Sequence, residues 1–279
     1  MATRKAITKD GGVLQLPLDL VFELAPLDSN RPEVLGDPLA PGASVSFPKP
    51  SAHIEIVDLD GDLKLEDRKL YNLLLAVSWG PLGRGESGPF VAPALQLRRR
   101  IGQEKERSNR RIRESLERLL KTVVKFRKRM PDGQIGEAAT TLLSYWAIAP
   151  RNGLVEWEFH PSLLPYLERP SRWARLNLDT CARFHSKYSM VLYEHLSLRK
   201  EMDFPIWNAS IEELRTFFCV PAERYSYFSQ FRQSVLDPAL AEVNAHARFH
   251  AEMEVIDDVV SQKPARVRFT VLPERKAIA

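Results

Sequence analysis

"RRRIGQEKERSNRRIRESLERLLKTVVKFRKR", residues 98–129, carries fourteen Lys or Arg against four Glu, a local charge of +10 in a chain whose total is +4. Everything outside it therefore sums to −6. Arg and Lys are good helix formers, and a charge run usually faces water. The other reading is the footprint of an anionic partner, and the flanking sequence decides between them. Ile112, Leu116, Leu119, Leu120, Val123 and Val124 fall at i, i+4, i+7, i+8, i+11 and i+12, one apolar stripe of a helix passing into a strand. Residues 103–111, QEKERSNRR, contain no apolar residue. The spacing predicts a helix anchored by its second half, with a basic first half protruding from the domain.

On the N-terminal side, LKLEDRKLYNLLLAVSW has Leu70, Leu73, Leu74 and Val77 at helical spacing. GPLGRGESGP reads as a loop, and APALQLRRRIG as a short helix stopped by Gly102. On the other side, VVKFRKR, a turn at MPDGQ, TTLLSYWAIAP, a turn at RNG, and LVEWEFH read as short strands. Helix, helix, protruding basic helix and β-hairpin is the order of a winged helix-turn-helix. Residues 1–52 hold seven of the twenty prolines and read as an irregular or partly disordered arm with short ordered contacts around LPLDLVFEL; AHIEIVDLDG then alternates like a strand.

Pro161, Pro165 and Pro170 mark the expected junction, and the pattern returns beyond it. SKYSMVLYEHLSLRK reads as an amphipathic helix with Val191, Leu192 and Leu196 on one side. In ASIEELRTFFCV, Ser210 and Glu213 have capping-box spacing. ERYSYFSQFRQSVLDPALAEVNAHA is a longer helical stretch that Pro238 should kink or restart. RFHAEMEVI and ARVRFTVL alternate as strands around DDVVSQKP. LYNLL at 70–74 and LYEHL at 192–196 share a local signature. The expected fold is α+β: two tandem winged-helix domains from an internal duplication, an arm at 1–52, a first domain at 53–168 and a second at 169–279.

The second half resembles the C-terminal domain of iteron-binding plasmid replication initiators of the RepA type. The resemblance rests on Ser186, Lys187, Tyr188, Leu192, Tyr193, Glu194, Leu214, Val220, Pro221, Phe228, Phe231, Val235, Leu236, Asp237, Pro238, Ala239, Glu242 and Asn244. Phe218-Cys219 stands where that pattern has Leu-Gly. The resemblance implies a non-catalytic bacterial cytoplasmic protein that binds direct repeats in double-stranded origin DNA. It also implies a homodimer, formed mainly through the first domain and in equilibrium with monomer, that represses its own gene at an operator. It adds a host initiator ATPase and the replicative helicase as partners. The alternative is a winged-helix transcriptional repressor without replication activity.

Candidate DNA contacts follow from residue chemistry. Arg suits guanine edges and phosphates, and Asn suits adenine. In the first domain they are Lys105, Arg107, Asn109, Arg110, Arg111, Arg113 and Lys128, and the resemblance implies phosphate contacts for them, since the family's first domain mostly grips the DNA backbone. In the second, Phe228 and Phe231 facing inward leave Ser229, Gln230, Arg232 and Gln233 for base readout, flanked by Lys187, Arg224, Tyr225 and Ser226. Lys263, Arg266 and Arg268 border the last turn as a possible wing. His246 and His250 are four apart, but no Glu or Cys completes a zinc pattern, so no metal or cofactor is expected. No His-hydrophobic-His triplet serves a nicking tyrosine, and no GxxxxGK[ST] loop serves ATP. Cys181 and Cys219 read as reduced thiols. No apolar run approaches the roughly 18 residues of a membrane helix, and the N-terminus lacks the apolar stretch of a secretory signal.

Overall fold

A computed structural model describes residues 21–26, 30–40, 42, 44–55, 57–58, 63–221 and 223–272, with two short paired strands, β1 Ala6–Ile7 and β2 Val13–Leu14. The rest of the arm lies outside the described residues. The chain divides into two compact units, one of residues 18–183 and one of residues 1–17 with 184–279.

In the first unit, β3 (Val21–Phe22), β4 (Ser46–Pro50) and β5 (Val57–Asp58) precede α1 (Leu65–Gly83). Helix α1 begins where the Asp67 carboxylate accepts the Lys64 backbone N–H at 2.8 Å. Leu70, Leu73 and Leu74 are buried, as their spacing predicts, but so are Tyr71, Asn72 and Leu75, so α1 is the central helix of the unit. Then follow β6 (Phe90–Pro93), α2 (Ala94–Arg100), α3 (Arg110–Lys121), β7 (Val123–Arg129), β8 (Ile135–Thr141), β9 (Leu143–Ile148) and β10 (Leu154–Phe159). The sheet β6-β10-β9 carries the wing, whose tip is the RNG turn. The stretch after α3 forms four strands in two hairpins where three strands were expected, because TTLLSYWAIAP spans the end of β8 and the whole of β9. β7 pairs along its length with β8 on one side, and on the other with β5 and, in parallel, β3.

The unit ends with α4 (Leu164–Glu168), β11 (Trp173–Asn177) and α5 (Leu178–Arg183). The proline-rich segment expected to be irregular supplies a core strand: β4 pairs antiparallel with β11 from Ser46↔Asn177 to Pro50↔Trp173, and Val45 and Phe47 are fully buried. The strand read at 52–61 is a 3₁₀ turn, Ser51–His53, followed by β5, with residues 59–62 outside the described residues. His53 Nδ1 lies 2.6 Å from the Tyr71 hydroxyl, and burial, helped by the Lys49 charge, holds His53 neutral with a pKa of about 3. The proline-punctuated segment read as the junction lies inside this unit, because β11 pairs with β4 and Lys69 of α1 donates to the Ala182 carbonyl at 2.7 Å.

The second unit comprises α6 (Lys187–Arg199), β12 (Ile206–Ser210), α7 (Ile211–Phe217), α8 (Phe228–Phe231), a π turn (Arg232–Leu236), α9 (Asp237–His246), β13 (His250–Asp257) and β14 (Pro264–Leu272). Ser186 caps α6, and Ser210 with Glu213 forms the capping box at α7 that their spacing predicts. Helix α6 is not amphipathic: every residue from Ser189 to Arg199 is buried, including Glu194 and His195, whose ring stacks on Trp207 at 4.4 Å. The sheet order β12-β14-β13 repeats β6-β10-β9 of the first unit, and Tyr71 and Tyr193, the shared tyrosines of LYNLL and LYEHL, are both buried. The two units are winged helices built on one plan.

Candidate nucleic-acid interface

Gly102, at φ +79°, ends α2, and residues 103–109 form an irregular turn, not the first half of a helix. With no apolar residue to bury, that stretch offers no face on which a helix could pack, so α3 starts at Arg110. Ile112, Leu116 and Leu119 anchor it in full burial.

The basic residues divide into two sets. Arg118 and Arg100 hold the scaffold. The Arg118 guanidinium grips the fully buried Asp67 carboxylate of α1 bidentately at 2.7 and 2.8 Å, and Arg100 pairs with Asp179 of α5 at 3.1 Å. Lys105, Arg107, Arg110, Arg111 and Arg113 are exposed on the turn and the start of α3. Arg110 is paired with Glu114 at 2.8 Å, Arg111 with Glu106 at 3.0 Å, and Arg113 lies over the Trp146 ring of β9. Asn109 is half-buried, and its Oδ1 accepts from Arg98 beside the helix start. Lys128, half-buried on β7, belongs to the other sheet.

The wing turn Pro150–Gly153 closes over this helix start. Between them lies a cleft of about 330 Å³ lined by Arg98, Arg107, Asn109, Arg151 and Asn152, with Pro93, Ala94, Leu95, Pro150 and Gly153 completing the wall. Three guanidinium groups around one concavity suit a phosphate oxygen. Sequence reasoning passed over Arg98 and Arg151, although a cation in the RNG turn at a wing tip was a usable signal.

In the second unit, Arg215 of α7 organises the approach to α8. Its guanidinium donates to the carbonyls of Pro221 (3.3 Å), Arg224 (2.9 Å) and Tyr225, and lies over the Phe231 ring. The loop it holds contains two left-handed residues, Cys219 at φ +50° and Tyr225 at φ +58°, conformations that cost a non-glycine residue about 1–3 kcal/mol. Arg224 and Ser226 are exposed on this loop, and Tyr225 is half-buried. Lys187 lies 5.6 Å over the Tyr188 ring; burial pushes the Tyr188 hydroxyl pKa up, and the nearby Arg224 charge opposes the rise.

Phe231, Val235, Leu236, Ala239 and Val243 bury one side of α8–α9. Ser229, Gln230, Arg232 and Gln233 are exposed on it. Arg232 is already engaged, its Nε 3.2 Å from Asp237 Oδ1. Asn244 ties the end of α9 to the wing, donating to the Ala251 carbonyl at 2.9 Å and accepting its N–H at 2.8 Å. On the wing itself, Lys263 is exposed, Arg266 reaches the Asn208 carbonyl at 3.4 Å, and Arg268 is paired with Glu254 at 2.9 Å. His246 ends α9 and packs edge-on against Phe184, whereas His250 opens β13, so the two do not share a helix face. Among the described residues, no group of three His, Cys, Asp or Glu could hold a metal ion, and no helix is long and apolar enough to cross a membrane.

Comparison with known proteins adds two matches by family. The family described as initiator replication protein, WH1, matches residues 51–197, and that described as initiator Rep protein, WH2, matches residues 210–271. No curated protein matches the chain. Among solved structures, the Pi initiator protein in complex with iteron DNA aligns with a TM-score of 0.55 at 16% identity, over 75% of this chain and 94% of that one. The WH1 domain of MSBI1.176, a replication protein isolated from a multiple sclerosis patient, aligns at 14% identity over 38% of this chain and 81% of its own, with a TM-score of 0.31.

Proposed function

The chain belongs to the initiator replication protein family, and we propose that it is a sequence-specific initiator of plasmid replication that binds direct repeats in double-stranded origin DNA. The observation that carries this reading is the outward polar face of α8–α9, with Ser229, Gln230, Arg232 and Gln233 exposed on the second helix of a helix-turn-helix whose other side is buried. A helix of that kind reads base edges in a major groove. The Pi initiator, solved on iteron DNA, supports the same class of ligand. In this reading the first unit grips phosphates with Lys105, Arg107, Arg110, Arg111 and Arg113, joined by Arg98 and Arg151 of the wing cleft. The protein acts by binding and not by catalysis. It dimerises through the first unit, represses its own gene as the dimer, and hands the origin to a host initiator ATPase and the replicative helicase.

The test is a paired titration on a direct-repeat duplex taken from beside the gene and on a scrambled duplex. A preference of about 10³-fold or more is expected. Equal affinity for both would overturn the proposal. Binding confined to an inverted repeat at the promoter, with no support of plasmid maintenance, would make the protein a repressor instead.

A further inference from the structure

Pro238 has no N–H to donate, and its ring would strike the carbonyl of Ser234 in a regular helix. The chain answers with the π turn, in which the Asp237 N–H reaches back five residues to the Arg232 carbonyl. In an α-helix, residues five apart lie about 140° around the axis and their side chains diverge. The wider π turn brings Arg232 and Asp237 onto one side, and their side chains meet at 3.2 Å.

The atoms that meet matter. Asp237 Oδ1 takes the Arg232 Nε, the one nitrogen that a guanidinium does not present at its outer fork. Both terminal Nη groups stay available, and the Nε contact braces the plane that carries them. Both side chains are about half exposed, on the same outward face as Ser229, Gln230 and Gln233. A planar pair of donors braced from behind matches the O6 and N7 acceptors of guanine.

We propose that Asp237 is a specificity-determining residue: through the π turn that Pro238 imposes, it buttresses Arg232 as a bidentate reader of one guanine in each repeat. The inference rests on the DNA-binding reading above and assigns a role to an acidic residue on a DNA-facing helix. An acidic group there repels phosphates by default, so its removal should strengthen binding to any duplex. A buttress has the opposite signature on the specific site alone.

The experiment titrates the parent, Asp237→Ala, Asp237→Asn, Pro238→Ala and Arg232→Ala on a repeat duplex, on scrambled duplex, and on repeats carrying 7-deazaguanine at one guanine at a time. Loss of N7 at one position should weaken the parent, and that position should become silent in Arg232→Ala and Asp237→Ala. Asp237→Ala should lose roughly 5- to 100-fold on the repeat and nothing on scrambled DNA, the range of one bidentate contact. Asp237→Asn keeps an acceptor oxygen and should lose less, and Pro238→Ala, which allows a regular helix, should lose specificity as Asp237→Ala does. Unchanged or tighter repeat binding by Asp237→Ala, or no guanine position shared with Arg232, overturns the buttress. A parent that does not prefer the repeat at all overturns the DNA-binding reading, and the buttress with it.

Discussion

The Arg215 guanidinium lies 4.9 Å from the centre of the Phe231 ring, on the first turn of the helix whose approach it holds through three backbone carbonyls. One side chain on α7 thus ties the carbonyls of Pro221, Arg224 and Tyr225 to the start of α8. Arg215→Ala should destabilise the second unit by about 1–3 kcal/mol, the range for losing several hydrogen bonds from one charged group. Arg215→Lys keeps the charge but cannot fork across three carbonyls, and should recover less than half of that loss in chemical denaturation. Full recovery by Lys would show that charge alone holds the loop.

Within the opening basic stretch, Arg118 and Arg110 should behave as opposites. Arg118→Ala strands the Asp67 carboxylate, which is fully buried, and should cost about 3–5 kcal/mol. Arg110 pairs with Glu114 on the surface, a contact worth about 0.3–0.5 kcal/mol, so Arg110→Ala should melt almost like the parent. Equal melting of the two variants would contradict the assignment of Arg118 to the scaffold.

DNA binding should be steep in salt, with a slope of log K against log salt near −6 or steeper if each unit contacts several phosphates, at about −0.9 per phosphate. Arg110→Ala should weaken repeat and scrambled duplex alike and reduce the slope by about one unit, whereas Arg232→Ala should weaken only the repeat, by about 1–3 kcal/mol. A parental slope shallower than about −3 would return the basic run to plain surface.

Glu242 of α9 should make the second unit acid-sensitive. Burial alone would raise its carboxyl pKa, but the polar groups around it, the nearby Ser189 hydroxyl and the His185 backbone N–H and ring that lie 2.6 and 3.1 Å from Oε1, outweigh it and hold the value below the ordinary 4.5. A pKa depressed on folding adds stability above the unfolded value and loses it as pH falls through the folded one. Glu242→Gln should therefore be less stable than the parent at neutral pH. The difference should shrink as pH drops below about 4.5, measured by thermal melting across pH. A gap that stays constant with pH would remove the carboxylate from the account.

What was legible in the sequence follows from what repeats locally. The apolar stripe Ile112–Leu119, the Ser210/Glu213 box and the alternation of β13 and β14 are one-element signals, and each stands in the structure. α6 looked amphipathic because Glu194, His195 and Arg199 are polar by type, yet tertiary partners bury them. β12 was missed because Ile206–Ser210 is a short strand whose pairing with β14 spans more than fifty residues. β4 was hidden by its prolines. At the interface, charge located the basic region, but only packing separates Arg118 and Arg100, which bind buried or half-buried carboxylates, from the cations that face outward. Arg215 gave no signal, since its partners are backbone carbonyls that any sequence would supply.

The pairing of β4 with β11 also sets an order of events during synthesis. Ser46–Pro50 leaves the ribosome early, but its partner Trp173–Asn177 is made only after the whole of the first winged helix has been added. Until then the strand that pairs with β4 and helps bury Phe47 in the finished unit is missing. A shortened protein begun at Ala52 would never close: β11 would keep a bare edge, and the N-terminal truncation that looks harmless in the sequence would yield an aggregating first unit.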